Sequence, residues 1–115
     1  MSKSKVEEFK ETRDKQNEIL AKYANRNQKK FYGLDATTYQ GGALDKKTKE
    51  LLGFTASLVL RCDDCILYHL IECKEAGVTS EELSEAVSIG MLVGGSITIP
   101  HIRRAMTVWD EDLSK

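Results

Sequence analysis

Apolar residues in this chain recur at helical spacing, and no stretch alternates in the way a strand requires. From about Lys5 to Lys30 the chain is polar, with Val6, Phe9, Ile19, Leu20, Tyr23 and Ala24 at loosely helical intervals. That pattern predicts one long amphipathic helix with a narrow apolar stripe, fit to pack on a core or on another subunit. Phe31 to Ala43 reads as a connector with at most one helical turn, broken by Gly33, Gly41 and Gly42. Asp45 suits the N-cap of a helix reaching about Leu60. Its second half is nearly apolar on all sides, which predicts a central position. A helix from about Asp63 to Ala76 ends at Gly77, a residue suited to the left-handed C′ position. Thr79 then starts another helix, with Glu82 three residues on to complete a capping box. Leu83, Ala86, Val87, Ile89, Gly90, Met91 and Val93 follow, and Gly94-Gly95 ends it. Its small residues allow close helix packing. Pro100, the sole proline, fits the first turn of a last helix reaching about Asp110.

Length and charge narrow the classes. The 115 residues suit one domain with a modest core. Charged residues make up 30% and the formal net charge is -1, so no basic excess exists to neutralise phosphates, and a nucleic-acid partner is not expected. Lys46, Lys47 and Lys49 form a short basic run with acids after it, which reads as a solvated helix face. No segment has the length and apolarity of a membrane span. Met1 through Asp14 is charged throughout without an apolar run, so a cytoplasmic location and no membrane partner are expected. Three cysteines, two of them spaced CxxC, point in a reducing compartment to redox or metal chemistry rather than to a structural staple.

The segment Cys62-Asp63-Asp64-Cys65-Ile66-Leu67-Tyr68-His69 carries the sharpest signal. On a helical wheel Cys62, Cys65, His69 and Cys73 fall within about 80° of one another. His69 lies one turn beyond Cys65, where an imidazole can take the thiol proton or stabilise the thiolate, the nucleophilic form. The helix start and Arg61 favour a thiolate, whereas Asp63 and Asp64 oppose it as like charges. If the helices before and after Arg61 form an antiparallel hairpin, Glu50 and His69 are offset by roughly 5 Å, about one turn. Glu50 can then meet His69 directly or through one water, and the order Glu50, His69, Cys65 forms a proton relay.

Plainer readings stand beside these. Cys62 and Cys65 are also acceptable small core residues, and Cys73 reads as a core filler. His101 can merely cap or pack, Asp63 and Asp64 are favourable first-turn acids, and Tyr68 and Trp109 read as packing anchors. Cys62, Cys65, His69 and Cys73 superficially form a zinc set. On one helix the outer two lie roughly 16 Å apart along the axis. Bonds of about 2.0–2.3 Å cannot gather all four, which leaves open only two or three of them completed by another helix. No metal or other cofactor is expected.

Glu50, Cys62-x-x-Cys65, His69 and the closing Gly77 together resemble the alkylhydroperoxidase D branch of the carboxymuconolactone decarboxylase family. The run Ala76-Gly77-Val78-Thr79-Ser80-Glu81-Glu82-Leu83-Ser84-Glu85-Ala86 is similar to that family's helix-turn-helix connection, and the likeness spans about Leu44 to Val108. The resemblance implies an all-α bundle of about five to six helices forming one domain over 1–115, with an N-terminal helix and connector over 1–43 and the motif-bearing core over 44–113. It also implies a homo-oligomer, trimer or hexamer, that reduces peroxides by a dithiol/disulfide cycle. Cys65 would attack peroxide, Cys62 would resolve, and Glu50 and His69 would relay protons. The partners would be a peroxide or disulfide substrate and an external dithiol reductant. The decarboxylase branch lacks the cysteine pair, so the family name does not by itself state an activity. Two other readings fit the same scaffold: a non-redox binding or structural module, and decarboxylase-like lactone chemistry.

Overall fold

The computed structural model describes residues 3–114 and divides into two compact units, Met1–Gln40 and Gly41–Lys115. Among the described residues there is no strand, so the protein is all-α as its sequence pattern predicts.

The first unit departs from the predicted single helix. It contains α1 (Lys5–Tyr23) and α2 (Arg26–Thr38). The break is made by caps rather than by glycine or proline. Ala24 is extended, and the Asn25 side chain accepts from the Gln28 N–H while the Gln28 side chain accepts from the Asn25 N–H. This reciprocal pair satisfies donors that a new helix leaves open. The segment read as a connector is therefore mostly helical. Gly33 sits inside α2 without positive φ, so it weakens the helix without ending it.

The second unit begins with α3 (Lys46–Leu60), whose N-cap Asp45 accepts from the Thr48 N–H. After it come α4 (Asp63–Glu75), α5 (Ser80–Gly94), a short 3-10 turn over Ser96–Thr98, and α6 (Ile99–Val108). A π-helical turn, Trp109–Leu113, follows α6. Thr79 and Glu82 form the expected capping box on α5. Gly77, at φ 88°, closes α4: its N–H donates to the Lys74 carbonyl and the Val78 N–H to the Cys73 carbonyl, the paired bonds of a Schellman motif.

Helix α3 packs against both α4 and α5, which accounts for its apolar second half. Phe54 and Leu58 of α3, Leu70 and Cys73 of α4, and Leu83 of α5 are fully buried. Burying each large apolar side chain stabilises by roughly 1.5–3 kcal/mol. A Cβ on Gly90 would stand 3.0 Å from Leu58 Cδ1, so a glycine lets α5 approach α3 closely there. Not every apolar residue is covered: Leu52, Leu60, Ile89, Leu92 and Val93 remain exposed. Trp109 is buried, as a packing anchor should be; its ring N–H donates to Ser80 Oγ, and Lys74 lies over its face.

Candidate functional site

The α3–α4 hairpin builds the site. Two residues link the helices. Arg61 takes a left-handed conformation, φ 59° and ψ 39°, which side chains other than glycine rarely adopt. Its N–H donates to the Leu58 carbonyl and the Cys62 N–H to the Ser57 carbonyl, the same Schellman bonds that close α4. The reversal is thus tight, and α4 returns directly alongside α3.

Cys62 is the N-cap of α4, and its Sγ accepts the Cys65 N–H at 3.2 Å. A Cα–Cα separation of 5.2 Å lies within the range that a disulfide needs, and the two sulfurs are joined. Cys62 is half-buried, whereas Cys65 is exposed on the first turn. The two residues of the pair thus differ in access.

One turn beyond Cys65, His69 is buried and its Nδ1 lies 2.9 Å from Glu50 Oε1. The predicted meeting across the helix pair occurs by direct contact. Glu50 is only 2% exposed, and its second oxygen accepts from Lys46 Nζ at 2.8 Å. A buried carboxylate needs such partners, because an unpaired ion in the interior is strongly disfavoured. The bond to Glu50 holds the lysine's pKa above its ordinary value. With Nδ1–H donating to the carboxylate, the neutral ring carries its lone pair on Nε2. The Tyr68 ring meets the imidazole edge-on, with centroids 5.2 Å apart.

Lys46 therefore has a role that its reading as a solvated face missed, although it stays half-exposed. Lys47 pairs with Glu82 of α5 at 2.7 Å. The i,i+4 spacing of Lys46 and Glu50 was visible in the sequence. The burial of Glu50 was not.

Cys73 shares the stripe of the other two cysteines but is fully buried and unpaired with any sulfur. Burial pushes its thiol up to about 12, with Glu50 and Glu72 adding to the shift. It is a core filler without thiolate character at neutral pH. Glu72 is also held above the usual carboxylate range, first by burial and then by Glu75 and Glu50.

A second polar cluster flanks the cysteine turn. His101 Nδ1 lies 2.7 Å from Asp63 Oδ1, and Arg104 reaches Asp63 Oδ2 at 3.1 Å. Both partners come from α6, 38 and 41 residues further along the chain. Asp63 is exposed, and the slight desolvation that it does feel would alone raise its carboxyl pKa, but the bonds to His101 and Arg104 hold it below the ordinary value. Thus Asp63 is more than a first-turn acid and His101 more than a cap. Their only trace in the sequence is the i,i+3 pair His101 and Arg104 on one face of α6. Among the described residues no three His, Cys, Asp or Glu side chains converge as a metal centre.

Fold and site together define an all-helical protein with a CxxC pair at a helix start beside a buried Glu–His pair. Residues 26–108 match the carboxymuconolactone decarboxylase family, and the chain belongs to it. A crystal structure from Thermotoga maritima is 50% identical, with a TM-score of 0.88 over 90% of this chain and 91% of that one. Another from the same organism, also 50% identical, has a TM-score of 0.85 and covers 90% and 88%. That protein is described as a family member with a suggested involvement in antioxidative response. A Legionella pneumophila family protein in its apo form is 27% identical, with a TM-score of 0.86 over 96% and 98% of the two chains. Uncharacterized protein 4 of the Paracoccus denitrificans cox locus is 31% identical over 81 residues, 70% of this chain and 73% of that one.

Proposed function

We propose that this protein is a thiol-dependent peroxide-reducing oxidoreductase of the alkylhydroperoxidase D branch. The observation that carries the reading is the 2.9 Å bond between buried Glu50 and His69, one helical turn from an exposed Cys65 that is joined to Cys62. In the reduced state His69 takes the Cys65 proton, and Glu50 orients the ring and stabilises the imidazolium. The Cys65 thiolate attacks the outer oxygen of the peroxide, the O–O bond breaks, and the departing alkoxide takes a proton to leave as an alcohol. Cys65 is now a sulfenic acid. The Cys62 thiolate attacks its sulfur, hydroxide leaves as water, and the disulfide forms. An external dithiol reduces it and is itself oxidised. The likeness to a protein with a suggested antioxidative involvement supports the same class of reaction. The cycle requires a reducing compartment, and the cytoplasm is the setting proposed.

The working form is proposed to be a trimer or hexamer. Ile89, Leu92 and Val93 on α5 and Leu52 on α3 are large apolar residues in water, and an open groove of about 670 Å³ runs between these helices. Such a surface gains from burial against another copy. Size-exclusion chromatography with light scattering should give a trimer or hexamer; a monomer at micromolar concentration would refute the assembly.

The redox reading is tested by treating reduced protein with one equivalent of an alkyl hydroperoxide. Intact-mass analysis should show loss of two hydrogens and peptide mapping a Cys62–Cys65 link, with alcohol released in equal amount. Cys65→Ser should lose rapid peroxide consumption. If that variant reacts as fast as the parent, the assignment of Cys65 fails.

A further inference from the structure

The motif places two acids between the two sulfurs, which should disfavour the thiolate that the proposed reaction uses. Asp63 adjoins Cys62 in the chain, and neighbouring Cα atoms are only about 3.8 Å apart. Its carboxylate is nevertheless held by two groups from a distant helix, His101 at 2.7 Å and Arg104 at 3.1 Å. The same Arg104 nitrogen lies 3.1 Å from His101 Nδ1, so the three side chains form one closed cluster.

We infer that His101 and Arg104 act as positioning residues that cancel the charge of Asp63 beside the cysteine pair, and so keep the thiolate accessible near neutral pH. The inference rests on the redox reading above for its purpose, but its physical content is an electrostatic setting of the sulfurs. With Arg104 in place, the Asp63–Arg104 pair carries no net charge. Without Arg104 a full negative charge stands next to Cys62.

The other charged or titratable groups around the sulfurs are placed as follows. Arg61 precedes Cys62, Asp64 lies between the cysteines, and His69 with Glu50 and Lys46 lies one turn further in. The acids of the last turn, Asp110, Glu111 and Asp112, follow Trp109, which lies against Lys74 at the opposite end of α4. None of these partners Asp63 as the α6 pair does. At roughly 8 Å in a water-like surround, one unit charge moves a titration by about 0.4 pH unit, a change of about 2.5-fold in thiolate population.

The test is a thiolate titration of the reduced protein, followed by absorbance at 240 nm. Cys73 is silent because burial keeps it protonated. Arg104→Gln should raise the thiolate midpoint by about 0.4 pH unit and slow peroxide oxidation about 2.5-fold at pH 7. Asp63→Asn should lower the midpoint by a similar amount, because it leaves the Arg104 guanidinium uncompensated. The double variant should return close to the parent, and Arg104→Lys, which keeps the charge, should stay there. A clamp that merely ties α4 to α6 would instead damage both single variants in the same direction and be made worse by the double. Shifts of the same sign, or no shift in either variant with helical content intact, overturn the inference. The redox reading fails separately, on Cys65→Ser and the missing disulfide, while the midpoint shifts would still be read.

Discussion

Replacing Glu50 by glutamine isolates the part of the site that the fold holds most tightly. The side chain keeps its shape but loses its charge, in a place only 2% exposed. The carboxylate now accepts from His69 Nδ1 at 2.9 Å and from Lys46 Nζ at 2.8 Å. An amide has one acceptor oxygen, so one of these donors loses its partner. Lys46 is half-exposed and turns to water, so the oxygen stays with His69 and the amide nitrogen fills the lysine's place. Stability should fall by about 1–2 kcal/mol, the low end for a disturbed buried polar group. The chemical loss is larger in effect. A hydrogen bond to a charged partner is worth about 1.5–3 kcal/mol, and each 1.4 kcal/mol is tenfold in rate. If the carboxylate stabilises the imidazolium as Cys65 ionises, oxidation of the reduced variant should slow by about 10- to 100-fold. The assay is stopped-flow mixing of reduced protein with excess alkyl hydroperoxide, quenched and counted as remaining thiols. Circular dichroism and urea unfolding confirm that the helices persist. A folded Glu50→Gln protein oxidised within twofold of the parent would refute the relay.

The fold and its titrations give further expectations. Cys73 is held protonated up to about 12 in the folded chain, whereas an unfolded cysteine ionises near 9.0. Its folded pKa is raised, so its contribution is whole below pH 9 and drains away as pH climbs towards 12. Between pH 8 and 10.5 the parent should lose about 2 kcal/mol that Cys73→Ala does not lose, measured by urea unfolding in a phosphine reductant; equal pH slopes would refute the burial argument. Gly94→Ala would set a Cβ 2.5 Å from the methyl of Thr98, which is fully buried, so unfolding free energy should drop by about 1–3 kcal/mol; no drop would mean that the 3-10 turn yields freely. Arg61→Gly should leave the protein about 0.5–1 kcal/mol more stable. A left-handed side chain costs about 1–2 kcal/mol, and glycine's extra unfolded freedom takes back only part of it; a lower melting temperature would show that the arginine side chain itself holds the hairpin.

The sequence carried the second unit well because its signals are local. Asp45, Thr79 with Glu82, and Gly77 each act within a few residues, and each does what its chemistry predicts. The first unit departs from its apolar pattern where capping outweighs periodicity. Asn25 and Gln28 stand three apart, the spacing of a capping box, yet a loose apolar stripe ran across them. Gly33 is a breaker by pattern, yet a helix tolerates an interior glycine at about 1 kcal/mol. The Glu50–His69 meeting was legible for a different reason. A two-residue link forces neighbouring helices antiparallel, and counting from the turn then pairs the residues across it. The α6 cluster had no such route, because 38 residues, with α5 and the 3-10 turn between, separate Asp63 from His101. No spacing rule carries a contact of that range.

The same distinction bears on how the acidic pair between the cysteines should be weighed. Judged by neighbours in the chain alone, Asp63 counts against a thiolate. Its carboxylate is held below its ordinary pKa by a guanidinium and an imidazole, so the charge that the sulfurs feel is that of the cluster and not of the acid. Asp64 lies one residue on and, exposed like Asp63 but outside the α6 cluster, is screened by water and salt. Glu50 is the opposite case. It is buried, so its charge acts at close range on the imidazole and is answered by Lys46. Three carboxylates near one pair of sulfurs therefore act through three different settings, and only their partners in space decide which of them opposes the chemistry. Removing a partner, rather than the acid itself, is the perturbation that tells those settings apart.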